Sequence, residues 1–306
     1  LAISMGFSCL SFAALPQKID PSVAVQDYLI KQRDAAGLIS KTIQINDVTW
    51  SYSEGGARNK PAVLLIHGLA GNRDNWNGVA HFLTPYYHVI IPDLPSNGAT
   101  KVADNFDLSI PNVTERLRRF VETLDIADKL NIAGHSLGGS IAGIYQQANT
   151  AYTKDPNFLK NLIVSKPGDL DEVLSQVMQT PPTLPPYFKK IQEKILIANA
   201  SQTRKMIDQL VTLNHIYTPE SFARLTRTIE APTLILWGKQ DKIINVEAAS
   251  ELHGLLKRAE KPVILNNVGH MPILEAQQQV ALHYLPFLAK TQKLKNPLAD
   301  KLIPLN

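Results

Sequence analysis

Six short apolar runs set the frame of this chain: AVLLIH (62–67), HVIIPD (88–93), LNIAGH (130–135), NLIVSK (161–166), PTLILWG (232–238) and KPVILNN (261–267). Each is short and bounded by turn or helical patterns, so each is predicted to be a strand buried on both faces. Helical periods separate them. Val113, Leu117, Phe120, Val121 and Leu124 share one helical stripe, and further helices are predicted from Leu137, near Val246, and from about Glu275 towards Ala289. Strands alternating with helices build an α/β architecture, a mostly parallel central sheet flanked by helices. TIQI and VTWSYSE, starting at Thr42 and Val48, alternate with period two and are predicted to open the fold as an antiparallel pair.

The rhythm fails over residues 169–228. A proline-rich stretch, TPPTLPPYFKK, is followed by helical patterns around 191–200 and 203–213, with Phe188, Ile191 and Ile195 on one face. We read this as a helical cap or lid inserted into a core formed by 41–168 and 229–290, with 291–306 as a C-terminal tail. At 306 residues the chain is long enough for a large core plus such an insert. Residues 1–16, LAISMGFSCLSFAALP, carry no charge and match the apolar part of a secretory signal, with Ser11 and Ala13 at small-residue positions. They lack the basic start of such a signal. A secreted, periplasmic or cell-envelope protein is expected if the segment is a truncated signal, and a cytoplasmic one otherwise.

The formal net charge is +4, with no basic block large enough to mark a nucleic-acid footprint. Cys9 is the single cysteine, which excludes an internal disulfide, and the eight histidines are scattered without metal spacing. No metal or cofactor is expected.

The chemistry concentrates in GHSLGG (134–139). Gly134 and Gly138 sit two residues either side of Ser136, just after a predicted strand and before a helix. On a tight strand-to-helix turn, side chains at those two positions would collide, and the turn itself holds the serine in a strained backbone with its hydroxyl exposed. The helix that follows aims its first N–H groups at the same place, which favours developing negative charge.

A serine needs a base, and the base an orienting acid. Asp241 follows the run PTLILWG, and His270 follows KPVILNN. Both therefore lie at carboxyl ends of strands, where open α/β sheets bind ligands. The order Ser136, Asp241, His270 suits a nucleophile, an acid and a base. Read alone, Asp241 is equally a solvated turn residue between Lys239 and Lys242, and His270 a loop histidine. Asp208, in the expected insert, and Asp93, in a turn, are weaker candidates for the acid. The backbone N–H of Leu137 and that of Leu69, in the loop after LLIHG, are the expected donors to an oxyanion. His67 is expected to hydrogen-bond structurally, and His135 to point away from Ser136 along the backbone.

With these motifs in hand, the chain resembles the α/β-hydrolase superfamily over roughly residues 41–290, through LLIHGLAGNRDNW, IIPDLP, GHSLGG, LILWGKQDKII and VGHMPILE. More narrowly it is similar to bacterial lipases of the Moraxella and Psychrobacter type and to monoacylglycerol lipases. The resemblance implies a Ser136 nucleophile, an Asp241 acid, a His270 base, backbone donors at Leu69 and Leu137, and a helical cap over an acyl pocket. One loop departs from the pattern: DLPSNG stands where relatives often carry glycine and an aromatic residue in place of Ser96 and Asn97.

The expected activity is serine carboxylic-ester hydrolysis, a lipase or esterase cleaving acylglycerol or similar lipid esters through an acyl-enzyme. The expected partner is a small lipid or ester substrate, with transient contact to a lipid interface and no nucleic acid; the sequence leaves the oligomeric state open. A C–C bond hydrolase or an acyltransferase would use the same three residues, and a non-catalytic binding protein would use the fold alone.

Overall fold

The computed structural model describes residues 21–127, 130–141, 157–216 and 219–299. The apolar segment 1–16, with Cys9, lies outside the described residues. Before the first strand comes a helix that the sequence pattern did not announce, α1 (Pro21–Ala35). Strands β1 (Leu38–Ile45) and β2 (Val48–Gly55) then form the antiparallel pair, Ile45 facing Val48 across a two-residue turn. Asn46 takes φ 52° there, a conformation asparagine tolerates better than most residues.

The remaining strands of this sheet are β3 (Ala62–Ile66), β4 (His88–Pro92) and β5 (Asn131–Gly134). Their order is β1-β2-β4-β3-β5, with β3 parallel to both β4 and β5. Helix α2 (Asn77–Leu83) connects β3 to β4, and α3 (Ile110–Thr123) packs on the sheet through Val113, Leu117, Phe120 and Val121, the stripe foreseen in the sequence. Phe120 is fully buried against Trp50 and Tyr52, with ring centroids 4.8 and 5.2 Å away. Truncating it leaves a void that these rigid neighbours cannot fill, so Phe120→Ala is expected to cost about 3–5 kcal/mol of stability, read from the midpoint of urea unfolding.

Helix α4 (Leu137–Ile141) follows β5 directly. Further on come α5 (Asn157–Lys160), α6 (Asp169–Val177), α7 (Pro186–Ala198), α8 (Ala200–Ile216) and α9 (Pro219–Thr226). The chain then lays down β6 (Leu236–Gly238), α10 (Glu247–Leu255), β7 (Val263–Leu265), α11 (Pro272–Glu275) and α12 (Gln277–Gln292). Strands β6 and β7 pair in parallel and, among the described residues, form a separate two-stranded sheet.

NLIVSK was expected as a strand and is not one. Ile163 and Val164 are buried, as their apolarity requires, but the amides of Asn161, Leu162 and Ile163 donate to carbonyls three residues back. These are helical-turn bonds, and they use the donors that a ladder would need. The last helix also departs from expectation: it is interrupted at Ala276, so that Glu275 ends α11 and does not begin α12. No helix among the described residues is long and apolar enough to cross a membrane.

Candidate active site

Ser136 sits between β5 and α4 with φ 52°, the left-handed region that costs a non-glycine residue about 1–2 kcal/mol. The two flanking glycines are both required, for different reasons. A Cβ on Gly134 would lie 2.1 Å from the Gly138 carbonyl oxygen, so these residues do meet across the turn. A Cβ on Gly138 would strike the carbonyl oxygens of Ile66 and His67 at 2.4 and 2.6 Å, so the second glycine answers to the end of neighbouring β3.

Asp241 and His270 come from the loops after β6 and β7. These loops run in contact, since a Cβ on Gly238 would lie 2.0 Å from the Gly269 carbonyl oxygen. The His270 Nδ1–H donates to Asp241 Oδ2 at 2.9 Å, and the Ser136 hydroxyl donates to His270 Nε2 at 3.0 Å. Asp241 Oδ1 accepts from the amides of Ile243 and Ile244 at 2.8 and 2.9 Å. Only one carboxylate oxygen is therefore left for the imidazole, and its proton is drawn to Nδ1. Nε2 then carries the lone pair that accepts from serine. The side chains of His270 and Asp241 are 10% and 5% exposed, which keeps water from competing for these bonds.

Leu69 and Leu137 both line the cavity at Ser136. Among the described residues neither backbone N–H donates to a protein acceptor. The Leu69 loop presses on the elbow: a Cβ on Gly68 would lie 3.2 Å from the Ser136 Cβ. His67 is fully buried and structural. Its Nδ1–H donates to the Gly68 carbonyl at 2.8 Å, and its Nε2 accepts from the Leu94 amide at 2.9 Å. Asp93 organises a turn as expected, accepting from the amides of Arg73 and Ala99 and pairing with the Arg73 guanidinium at 3.2 Å. A Cβ on Gly98 would collide with its carboxylate. Asp208 is exposed on α8 and takes no part in the relay. Among the described residues no three His, Cys, Asp or Glu side chains gather as a metal would require.

His135 overturns its expectation. Its ring does not point away from the site: it lies 5.3 Å from the His270 ring, and its Nε2–H donates to the His270 carbonyl at 2.7 Å. Burial, followed by the nearby His270, pulls its pKa down to about 4. Burial lowers that of His67 as well. A histidine held neutral in the fold takes up its proton only on unfolding, so acid favours the unfolded chain. Stability supplied by His135 is full above pH 6.5 and is lost as pH falls towards about 4. It amounts to at most about 3 kcal/mol. Urea midpoints should fall across this window, and His135→Gln should flatten the fall; an unchanged slope would contradict the assignment.

The cavity at Ser136 has a volume of about 460 Å³. Leu159, Leu162, Val173, Leu174, Leu196 and Met206 give it an apolar lining, while Gln32, Asn72, Asn75, Asn77 and Gln277 add neutral amides. No lysine or arginine is among the described lining residues. Asp74 also reaches it but is paired with Arg33 at 2.6 Å. Helix α1 contributes Tyr28, whose ring packs edge-on against Phe188 of α7 at 5.7 Å.

A sequence model of the alpha/beta hydrolase family matches residues 63–282. The chain belongs to this family. Among curated relatives, this hydrolase is 27% identical to monoacylglycerol lipase ABHD6 of Rattus norvegicus over 90% of each chain. It is 28% identical to Lipase 1 of Psychrobacter immobilis over 77% of its own length and 79% of that of the relative. Among solved structures, a presumed lipase (Lip1) from Acinetobacter baumannii AYE superposes with a TM-score of 0.86 at 55% identity, covering 92% of this chain and 99% of that one.

The structure brings Ser136, Asp241 and His270 together, and it sets Leu69 and Leu137, the expected amide donors, at the same cavity. Sequence reasoning missed the contacts of His135 and Glu275 and the whole contribution of α1. Glu275 lay in plain view in VGHMPILE, five residues after the histidine, but an acidic residue near a helix reads as a solvated end.

Proposed function

We propose that this hydrolase cleaves carboxylic esters of lipids, acylglycerols or similar molecules, through an acyl-enzyme on Ser136. The observation that carries the reading is the unbroken chain of hydrogen bonds from Asp241 through His270 to Ser136, opening onto an amphipathic cavity. The lipases among its relatives support the same chemistry.

In the proposed reaction His270 Nε2 takes the hydroxyl proton as Ser136 Oγ bonds to the ester carbonyl carbon. The carbonyl oxygen becomes an oxyanion facing the Leu69 and Leu137 amides; such donors are typically worth about 3–4 kcal/mol each in the transition state. The intermediate collapses, the C–O bond breaks, and the alcohol leaves with the proton from His270. Water enters, gives a proton to the same nitrogen, and attacks the acyl carbon. Collapse of this second intermediate returns the proton to Ser136 and releases the fatty acid. Asp241 stabilises the imidazolium at each step without taking its proton.

The apolar lining suits an acyl chain, and the neutral amides suit a hydroxyl-bearing alcohol. We read residues 169–228 as a cap over this cavity, since α6, α7 and α8 each contribute to its lining. Transient contact of the cap with a lipid surface, and export directed by residues 1–16, belong to the same reading. A C–C hydrolase or acyltransferase would use the same relay, but the lipase relatives favour ester hydrolysis.

Two measurements test the proposal. A fluorophosphonate probe should label Ser136 stoichiometrically, and a folded protein that resists it would remove the mechanism. Nitrophenyl esters of rising chain length, assayed below and above their solubility limit, should be turned over with a preference for longer acyl groups. Absence of ester turnover across the series, despite labelling, would redirect the assignment to another acyl substrate.

A further inference from the structure

Glu275 ends α11, and its two oxygens face partners from different parts of the chain. Oε1 accepts from the amides of Gly269 and Met271, at 3.0 and 3.3 Å, the residues on either side of His270. Oε2 accepts from the amides of Gln179 and Thr180, at 2.7 and 3.3 Å, where the chain leaves α6. The amide of His270 itself donates to the carbonyl of Val177, the last residue of α6, at 2.9 Å. Beside Asp241, Lys242 Nζ donates to the Ser175 carbonyl at 3.1 Å. The junction has no slack, because a Cβ on Gly269 would lie 2.7 Å from the Gln179 nitrogen.

We propose that Glu275 is a positioning residue that clasps the His270 loop to residues 179–180, so that the wall of the cavity and the base are held as one unit. The inference rests on the reading of His270 as the base. Four N–H groups converge on one carboxylate, and bonds to an ionised acceptor are roughly twice as strong as neutral ones. Val177 and Met178 also line the cavity, so movement of the wall reaches the base within two residues. Glutamine cannot replace the carboxylate. It is the right length, but its NH₂ must point at one of the two pairs of N–H donors, and on that side the contact becomes repulsive.

The test is a double-mutant cycle with 4-nitrophenyl butyrate as substrate, using Glu275→Gln, Gln179→Pro and the pair. Gln179→Pro breaks the clasp from the opposite side: it removes the shortest of the four donors and sets its ring carbon where the N–H pointed, pushing Oε2 away. Met178 before it is already extended, at φ −122° and ψ 143°, as a residue preceding proline should be. Because ~1 Å of misplacement can cost about 10²-fold in rate, Glu275→Gln is expected to lower kcat by about 10- to 100-fold, with KM changed less than about threefold. Gln179→Pro should lower kcat in the same manner, and the double variant should be no worse than Glu275→Gln alone, since both lose one shared contact. Thermal melts confine the comparison to folded protein. Wild-type kcat in folded Glu275→Gln, or losses that multiply in the double variant, would overturn the clasp. Should Glu275→Gln fail to fold, an unchanged kcat in Gln179→Pro overturns it alone. His270→Ala is the control for the reading beneath: wild-type turnover there would remove the base itself and leave the clasp without a role.

Discussion

Replacing Ser136 with alanine is expected to lower ester turnover by about 10⁴-fold or more and to leave the fold intact. The hydroxyl is the one atom group lost, and it donates to His270 Nε2 at 3.0 Å. No apolar contact of the core depends on it. The φ of 52° at this position adds a second expectation. Alanine suffers the same backbone strain as serine, so its stability should match the wild type. Glycine does not, and Ser136→Gly should stabilise the protein by about 1 kcal/mol while being equally inactive. Activity with a nitrophenyl ester and the midpoint of thermal unfolding, measured on all three proteins, separate the two effects. An active alanine variant would end the proposed mechanism, and a less stable glycine variant would show that the elbow is not strained.

Asp241→Asn is expected to be nearly as damaging, at about 10⁴-fold in kcat, although it changes a single atom type. The reason lies in the two amides behind the carboxylate. Ile243 and Ile244 both donate to Oδ1, so asparagine must keep its carbonyl oxygen there and turn its NH₂ towards His270. A donor now faces Nδ1, which must become the acceptor, and the imidazole proton moves to Nε2. That nitrogen can no longer take a proton from Ser136. Rotating the amide the other way would set NH₂ against two N–H groups in a site 5% exposed, a worse outcome. KM should hardly move, labelling by a fluorophosphonate should slow in proportion to kcat, and the melting temperature should stay close to that of the wild type. Labelling at the wild-type rate would show that Asp241 does not set the tautomer.

Much of the site could be read before any coordinates because backbone strain leaves a mark in composition. GHSLGG places glycine at two positions where a Cβ has no room, and a chain has few other reasons to do so. The loops of Asp241 and His270 were equally legible, since apolar runs announce the strands before them. The failures share a cause as well. NLIVSK is apolar and buried, yet apolarity reports burial and is silent on whether amides pair across a ladder or within a turn. Helix α1 shows no clear apolar stripe, with Val25 buried while Val23 and Ile30 stand 45% and 50% exposed, so no pattern marked it as a wall of the cavity. His135 and Glu275 act by hydrogen-bonding to backbone groups distant in sequence, and a backbone amide or carbonyl has no letter in the sequence.

Most of the alternation of strands and helices and the strained turn at Ser136 were therefore determined by the sequence itself, through periodicity and through sites where only glycine fits, and the loops that carry Asp241 and His270 followed from the strands before them. The tertiary structure decided the rest: which nitrogen of His270 faces serine, which oxygen of Asp241 is left for it, and which distant chain segments hold the base in place. The physical reason is range. Patterns along a chain record forces between near neighbours and between a residue and water, whereas the alignment of a relay to within a few tenths of an ångström depends on directional bonds between segments that only the completed fold brings together.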